Sequence, residues 1–337
     1  MNWARVYTCK CSVHRVDPRT WADMNELEGV MSFTVKRNCT EKVPLLETGS
    51  VTVDGGMASG WYRLSAVVTQ GSVERHDIAT VMVDDVVPTY DKGVMSTAAC
   101  YSVLKPADDM RLVVGSYAPK GSDGAQEAAR LLRRCTPAPV VVEGGFVLSS
   151  NVVFPVKTTY LAAAWSLLDA GNFCMQIAGD GTITIMPKPT LPSLELSKVT
   201  SNILMPQVRP DASTKGVPNR YYAVGGSSVA VAVNDDPTSA VSYQSRGRWV
   251  DFVDTSPILV NGEGLQEYAE RKLREMTKAV RKVSYTREYV PNVFPFSVVR
   301  GTLPDRGLDG DMVVLSQDIG VSHGIVVQET CGQEVSL

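Results

Sequence analysis

The sequence predicts a mainly β protein with an α+β insertion. Three observations carry this reading. Apolar and polar residues alternate with period two through the first hundred residues, the pattern turns helical between about residues 106 and 190, and β patterning then returns around one charged helix. Tyr7, Cys9, Cys11 and Val13 alternate with Thr8, Lys10, Ser12 and His14, so the apolar set shares one face of a strand. Met31, Phe33 and Val35 alternate with Ser32, Thr34 and Lys36 in the same way. Ser50–Val53, Trp61–Thr69 and Asp77–Val83 are further strands, with Asp54-Gly55-Gly56, Thr69-Gln70-Gly71 and Asp84-Asp85 as turn residues. Short strands separated by turns describe a small barrel or a sandwich.

The middle changes character. Asp123–Cys135 is helical, with Asp123 as N-cap and Ala125, Ala128, Ala129, Leu131 and Leu132 as helix formers. Thr158 or Thr159 caps a second helix in which Leu161, Ala164, Trp165 and Leu168 share a face, and Gly171 ends it. Asn172–Pro187 then reads as two strands around a Gly179-Asp180-Gly181 turn. Pro187, Pro189 and Pro192 make a stiff exit.

Strand patterning returns at residues 216–233 and 241–252, with Asn234-Asp235-Asp236-Pro237 as a turn between them. Beyond Asn261, Leu265, Tyr268, Ala269, Leu273 and Met276 recur at the spacing that lays one apolar stripe on a helix. Charged residues fill its other faces, and the basic cluster from Arg271 to Arg287, interleaved with Glu, reads as a solvated helix face. Val283–Thr286 is strand, and the ending is expected to turn through Asp309-Gly310-Asp311 into Met312-Val313-Val314-Leu315. The organisation expected is a β domain over residues 1–105, a small α/β domain over 106–190, and a second β domain begun by 191–255. A helix-containing segment over 256–290 interrupts it, and 291–337 closes it.

Bulk properties narrow the function. The 337 residues are 44% hydrophobic and 20% charged, ordinary values for a chain that buries a real core. A net charge of −3 gives no electrostatic reason to expect direct nucleic-acid binding. No run reaches the roughly 18 apolar residues of a membrane span, and no signal peptide is visible at Met1–Val6. Seven scattered cysteines without a C-x-x-C pair fit a reducing compartment such as the cytoplasm better than a disulfide framework.

The three histidines, His14, His76 and His323, are the candidates for a catalytic constellation. None stands in a motif that supplies a nucleophile and an orienting acid. Cys9 and Cys11 read as core residues beside Tyr7 and Val13, since structural zinc needs about four ligands and a second close pair is missing. Asp84-Asp85, Asp108-Asp109 and Asp235-Asp236 read as turn chemistry, and Trp3, Trp21, Trp61, Trp165 and Trp249 as core or interface. No catalytic residue, cofactor or metal is expected.

Three stretches in this order give the chain a family resemblance. They are Leu161–Phe173 leading into Gly179–Ile185, Val217-Pro218-Asn219-Arg220-Tyr221-Tyr222-Ala223-Val224, and the helix with Ala269–Leu273 that precedes Leu308–Val313. The whole resembles the phage tail hub family, the baseplate-hub or tail-associated-lysin N-terminal proteins of tailed phages and related contractile injection systems. The resemblance implies two tube-like antiparallel β-barrels per subunit, three subunits in a pseudo-sixfold ring, and a central channel through which the genome passes. It implies as partners a tail tube or distal tail protein, a tape-measure protein and tip or fibre proteins, in a virion tail assembled in the host cytoplasm without stable membrane insertion. Members of the family often carry a C-terminal hydrolase. This chain stops at Leu337, so any lysin activity is expected from another polypeptide.

Ring subunits meet through edge strands. The interface candidates are Tyr7, Cys9, Cys11 and Val13 in the first strand and Tyr221, Tyr222, Ala223 and Val224 in the strand expected to open the second barrel. Two alternatives stand beside the hub: a cell-wall or polysaccharide hydrolase, and a receptor-binding β-rich module.

Overall fold

The computed structural model describes residues 7–89, 95–196, 204–209, 216–277, 279–303 and 308–335. Its first part is built from β1 (Thr8–Val16), β2 (Asp23–Glu26), β3 (Val30–Asn38), β4 (Leu46–Asp54), β5 (Gly60–Gln70), β6 (Ser72–Thr89) and β7 (Met95–Ser102). All pair antiparallel, in the order β3-β4-β7-β6-β5-β1-β2. The alternation seen in the sequence sorts their side chains: Cys11, Val13, Phe33, Val35, Val51, Leu64, Val68 and Val81 meet in one core. Gly71, at φ +81°, turns β5 into β6. Asp84 and Asp85, expected as a turn, lie inside β6 instead. The pairing slips between Val83 and Val86, so the two acids sit at a bulge and the strand runs on.

The insertion follows as α1 (Lys105–Asp109), β8 (Tyr117–Ala118), α2 (Gly124–Arg133), β9 (Val140–Val142), β10 (Val152–Val153), α3 (Tyr160–Ala170), β11 (Phe173–Ile177) and β12 (Ile183–Pro187). Asp123 caps α2, its side chain accepting from the Ala125 and Gln126 amides at 2.9 and 3.3 Å. Thr159 caps α3 through the Ala162 amide, and the helix ends at Gly171. The two helices pack on each other and on the β11–β12 hairpin, with Phe146 between them. A Cβ at Gly124 or Gly171 would stand only 2.2 or 2.4 Å from the Phe146 ring, which is why both positions are glycine.

Then come β13 (Pro192–Leu196), β14 (Leu204–Arg209), β15 (Arg220–Gly225), β16 (Ser228–Val233), α4 (Tyr243–Arg246), β17 (Asp251–Asp254), α5 (Leu265–Thr277), β18 (Ala279–Glu288), β19 (Val298–Leu303), β20 (Leu308–Val321) and β21 (Ile325–Val335). β13, β14 and β18–β21 surround a second, smaller core of Leu196, Val283, Tyr285, Val293, Val299, Met312, Val314 and Cys331. The expected turn at Asp309-Gly310-Asp311 is strand. Gly310 faces Gly301 across the β19–β20 ladder.

Two features of the arrangement were not expected. Strands β15, β16 and β17 do not belong to the second β unit. They form a separate sheet in the order β16-β15-β17, and α5 packs on one face of it through Tyr268, Ala269 and Leu273. The amphipathic stripe of α5 needs an apolar surface of its own, and the inward Tyr221, Ala223, Ala230 and Ala232 supply it. Part of 241–252, expected as strand, is the short helix α4 instead. The two larger β units, in turn, are not separate. β20 pairs with β3, so their strands run in one thirteen-stranded sheet.

Candidate functional site

Four strands at this junction, β3, β20, β21 and β18, carry one polar row that begins on β4. In register across neighbouring strands stand Glu47, Arg37, Gln317, Glu329 and Tyr285. All point to one face, and all are at most 3% exposed. Arg37 Nε donates to Glu47 at 2.9 Å and Nη1 to Gln317 at 3.3 Å, while its guanidinium lies 4.9 Å over the Phe294 ring. Gln317 Nε2 donates to Glu329 at 2.6 Å. Arg287, one row on, grips the same carboxylate with Nη2 at 2.7 Å and Nε at 3.2 Å. Two arginines thus balance two glutamates inside the sheet.

The electrostatics differ along the row. Burial pushes the Glu47 carboxyl up to about 7, outweighing the neighbouring Arg37. Its second oxygen has no hydrogen-bond partner. Burial also opposes the charge on Glu329, but Arg287, Gln317 and Tyr285 overcome it and hold that carboxyl below its ordinary range. The sequence places Arg287 at the end of a solvated, charge-interleaved helix face. It lies on β18 and is among the largest fully buried side chains, because Glu329 faces it from β21.

The other face of the same four strands is a shallow polar trough of about 520 Å³. Asn38, Ser284, Thr286, Ser316, Gln328 and Thr330 line it, and a Lys36–Asp318 pair at 3.6 Å sits at one end. The sheet is therefore polar on both faces where its two halves join.

The predicted interface residues divide. In β1, Cys11 and Val13 are core residues, while Tyr7 and Cys9 are half-buried. The Cys11 thiol reaches the Val321 carbonyl at 3.5 Å, and the Tyr7 hydroxyl accepts from the Ile325 amide at 3.3 Å, so β1 is tied to the β20–β21 hairpin. β5 covers one edge of β1 along its whole length, whereas β2 meets the other only at His14 and Val16. An edge thus stays without a strand partner from Thr8 to Ser12, among the described residues. In β15, Tyr221 and Ala223 face α5 and are buried. Tyr222 and Val224 face outward, on the side that also carries the exposed Val229, Val231, Val233 and Val253. β15 is the middle strand of its sheet with both edges filled, so it cannot join a neighbour by β-pairing and its expected edge role is corrected. Among the described residues, the outer strands of this sheet are β16 and β17.

No group of three or more metal-ligating side chains occurs among the described residues. Asp236 closes a turn on Thr238, and Asp109 pairs with Lys105 in α1. All seven cysteines are free thiols, and burial pushes every one of them up, to about 11 for Cys11, Cys39 and Cys135 and about 12 for Cys100 and Cys174. Such thiols are poor nucleophiles at neutral pH. His76 is shifted down, by burial chiefly, and stands beside Glu74 and the Tyr289 ring. The buried row escaped the sequence reading because Arg37 and Gln317 are 280 positions apart. The outward valines had a local signal in Val229, Val231 and Val233 alternating with Ala230 and Ala232.

The chain superposes over nearly its full length on phage tail proteins. A tail protein from Neisseria meningitidis MC58 matches at 15% identity with a TM-score of 0.67, over 98% of this chain and 97% of that one. The 43 kDa tail protein of prophage MuSo2 from Shewanella oneidensis matches at 12% identity and a TM-score of 0.64, over 96% and 98%. The prophage tail protein gp18 of Listeria monocytogenes EGD-e matches at 10% identity and a TM-score of 0.55, over 96% and 94%. This chain has the fold of those tail proteins, and the resemblance read from its sequence is borne out at that level. No family model and no curated protein sequence matches the chain.

Proposed function

We propose that this chain is a structural subunit of a phage tail tip or baseplate, a hub that assembles as a homotrimeric ring of pseudo-sixfold symmetry. The ring joins a sixfold tail tube or distal tail ring to a threefold tip and surrounds the channel for DNA. The observation that carries this reading is the single sheet that unites two β units in each copy. Three copies then present six units, which is how a threefold object can meet a sixfold one. The likeness in fold to tail proteins over the whole length supports the same reading. The trough, lined largely by hydroxyl and amide side chains with Lys36 paired to Asp318 at one end, is the surface best suited to face a water-filled channel.

The role proposed is mechanical rather than enzymatic, in a virion tail, with other tail proteins as partners. No helix among the described residues is long and apolar enough to cross a membrane. Native mass spectrometry and negative-stain imaging of the purified chain, alone and with a tail-tube protein, test the proposal. Rings of three copies that cap tube ends are the expected result. A stable monomer that leaves tube ends bare, at concentrations where the tube assembles, would sink it.

A further inference from the structure

In the sheet β16-β15-β17, β16 is an outer strand among the described residues, and the phase of its ladder shows what that edge offers. The Asn234 amide donates to the Asn219 carbonyl at 2.8 Å, next to the ladder pair Arg220–Val233. Alternate pairs of an antiparallel ladder exchange hydrogen bonds, so Ala232 and Ala230 bond to Tyr221 and Ala223. The N–H and C=O groups of Val229, Val231 and Val233 therefore point away from β15. Gln266 agrees with this phase, since its Nε2 donates to the Val231 carbonyl at 3.1 Å from outside the ladder. That contact puts a side-chain donor where the backbone N–H of a further strand would sit.

The two outer strands differ in how they are guarded. β17 is four residues long with Asp251 and Asp254 at its ends, and Pro257 follows. Shortness and charge are how sheets protect an edge. β16 has six residues and neither charge nor proline. Val229, Val231 and Val233 stand on its outward face at 59, 39 and 52% exposure, while Ala230 and Ala232 lie under α5. A strand laid on this edge must be apolar on the valine face, be free of charge and present an open edge of matching phase. β16 of a second copy meets all three conditions. With a twofold axis at Val231, Val231 stands opposite its own counterpart and Val229 opposite Val233 of the partner subunit. All three outward-pointing valines of each copy then pair, with about six backbone hydrogen bonds and one continuous ladder of β-branched side chains. Because α5 lies over β15 and β16, the two α5 helices come to lie about 10 Å apart, an ordinary packing distance.

We propose that β16 pairs edge to edge with β16 of a second copy, in a closed twofold contact that joins the two three-stranded sheets into one. Each copy has one unguarded edge on this sheet and β17 is protected, so growth through it stops at two. The contact buries on the order of 1,000 Å² in total, the lower end for a specific interface, which makes it a reversible, micromolar contact. It goes beyond the ring reading and does not need it. Single copies joined this way give pairs, and rings of three give pairs of rings.

Native mass spectrometry and sedimentation of the full chain, from about 1 to about 100 µM, read the contact. Assemblies of two copies, or of six where rings form, are expected at the upper end. Val231→Pro removes the central outward N–H and spares the β15 ladder, and Val231→Lys sets like charges opposite each other across the axis. Each is checked for an unchanged thermal midpoint, one folded variant suffices, and the pairing constant should fall at least about tenfold. Oxidative cross-linking reads the register, with the parent chain as the control for the native thiols. Val231→Cys should form an interchain disulfide, since opposed Cα atoms of a bonded pair lie about 5.5 Å apart. Val229→Cys should not, because its counterpart lies about 13 Å along the ladder, whereas a mixture of Val229→Cys and Val233→Cys should. The proposal is overturned if the parent stays at one or three copies at the highest concentration, if pairing survives in a folded variant, or if Val231→Cys cross-links no faster than Val229→Cys. None of these results bears on the ring, whose signature is the mass of three copies in parent and variants alike.

Discussion

Removal of Arg287 is the sharpest perturbation of the junction between the two β units. Arg287 is 2% exposed and Glu329 1%, and their contacts at 2.7 and 3.2 Å form a bidentate pair. Arg287→Met keeps much of the apolar volume but leaves the Glu329 charge inside the sheet with the Gln317 amide and Tyr285 hydroxyl as its close donors. Breaking a buried pair from one side costs about 3–5 kcal/mol, and the two surviving donors place this case near the lower bound, about 3 kcal/mol at pH 7. In the native protein Glu329 is held below its ordinary range, so its contribution is full above the unfolded carboxylate pKa and is lost as pH falls through the lower folded value. In the variant the same carboxyl, buried and without its cation, is shifted upward. It takes up a proton as pH falls, and the deficit shrinks between pH 7 and pH 5. Urea unfolding at the two pH values measures this directly. The double variant Arg287→Met/Glu329→Met should recover at least about half of the loss, because no charge is then left buried. A cost under about 1 kcal/mol, a deficit independent of pH, or no recovery in the double variant would refute the reasoning.

Glu47 should behave in the opposite sense. Its folded pKa is raised to about 7 by burial, so its contribution is full below the unfolded value of 4.5 and is lost as pH rises through about 7. Glu47→Gln should flatten that part of the stability profile, a difference on the order of 3 kcal/mol between pH 5 and pH 8 at most; thermal melts across the range check it. Gly171→Ala drives a methyl to within 2.4 Å of the Phe146 ring and should cost about 1–3 kcal/mol, with partial rescue by Phe146→Leu in the same background. Asp254 accepts from the hydroxyls of Tyr221 and Tyr268 at 2.9 and 2.7 Å, so Asp254→Ala should cost about 1–3 kcal/mol. Ultraviolet titration should show both phenols ionising later than ordinary tyrosines in the parent, since burial and then Asp254 raise them.

What could be read in the sequence was local. The helices α2, α3 and α5 came with their caps or apolar stripes, because Asp123, Thr159 and the Leu265–Met276 spacing act within a turn or two of chain. The β11–β12 hairpin was visible for the same reason. The misreadings have a common cause. Asp84-Asp85 and Asp309-Gly310-Asp311 have turn composition, but each lies within a strand, the first at a bulge opposite β7 and the second in the ladder with β19. β15 has the alternation of any half-buried strand, and nothing within it says that its inward face meets α5 rather than a barrel. The polar row was out of reach, since charged residues on strands normally face water and only the β20–β3 ladder brings Arg37 beside Gln317.

That ladder bears on the ring reading more than any single residue does. Six β units around a ring make a regular contact surface only if the two units of one copy keep a fixed relation. A flexible linker would let each pair drift. Here β20 serves both units as one 14-residue strand: its first half pairs with β19, and its second half pairs with β3. Sliding the units along each other by one residue would turn every inward side chain of the row outward and strand two glutamates and two arginines against the wrong partners. The buried Glu47–Arg37–Gln317–Glu329–Arg287 network therefore acts as a lock on register, and its loss should disturb ring regularity more than it disturbs the folding of either unit alone.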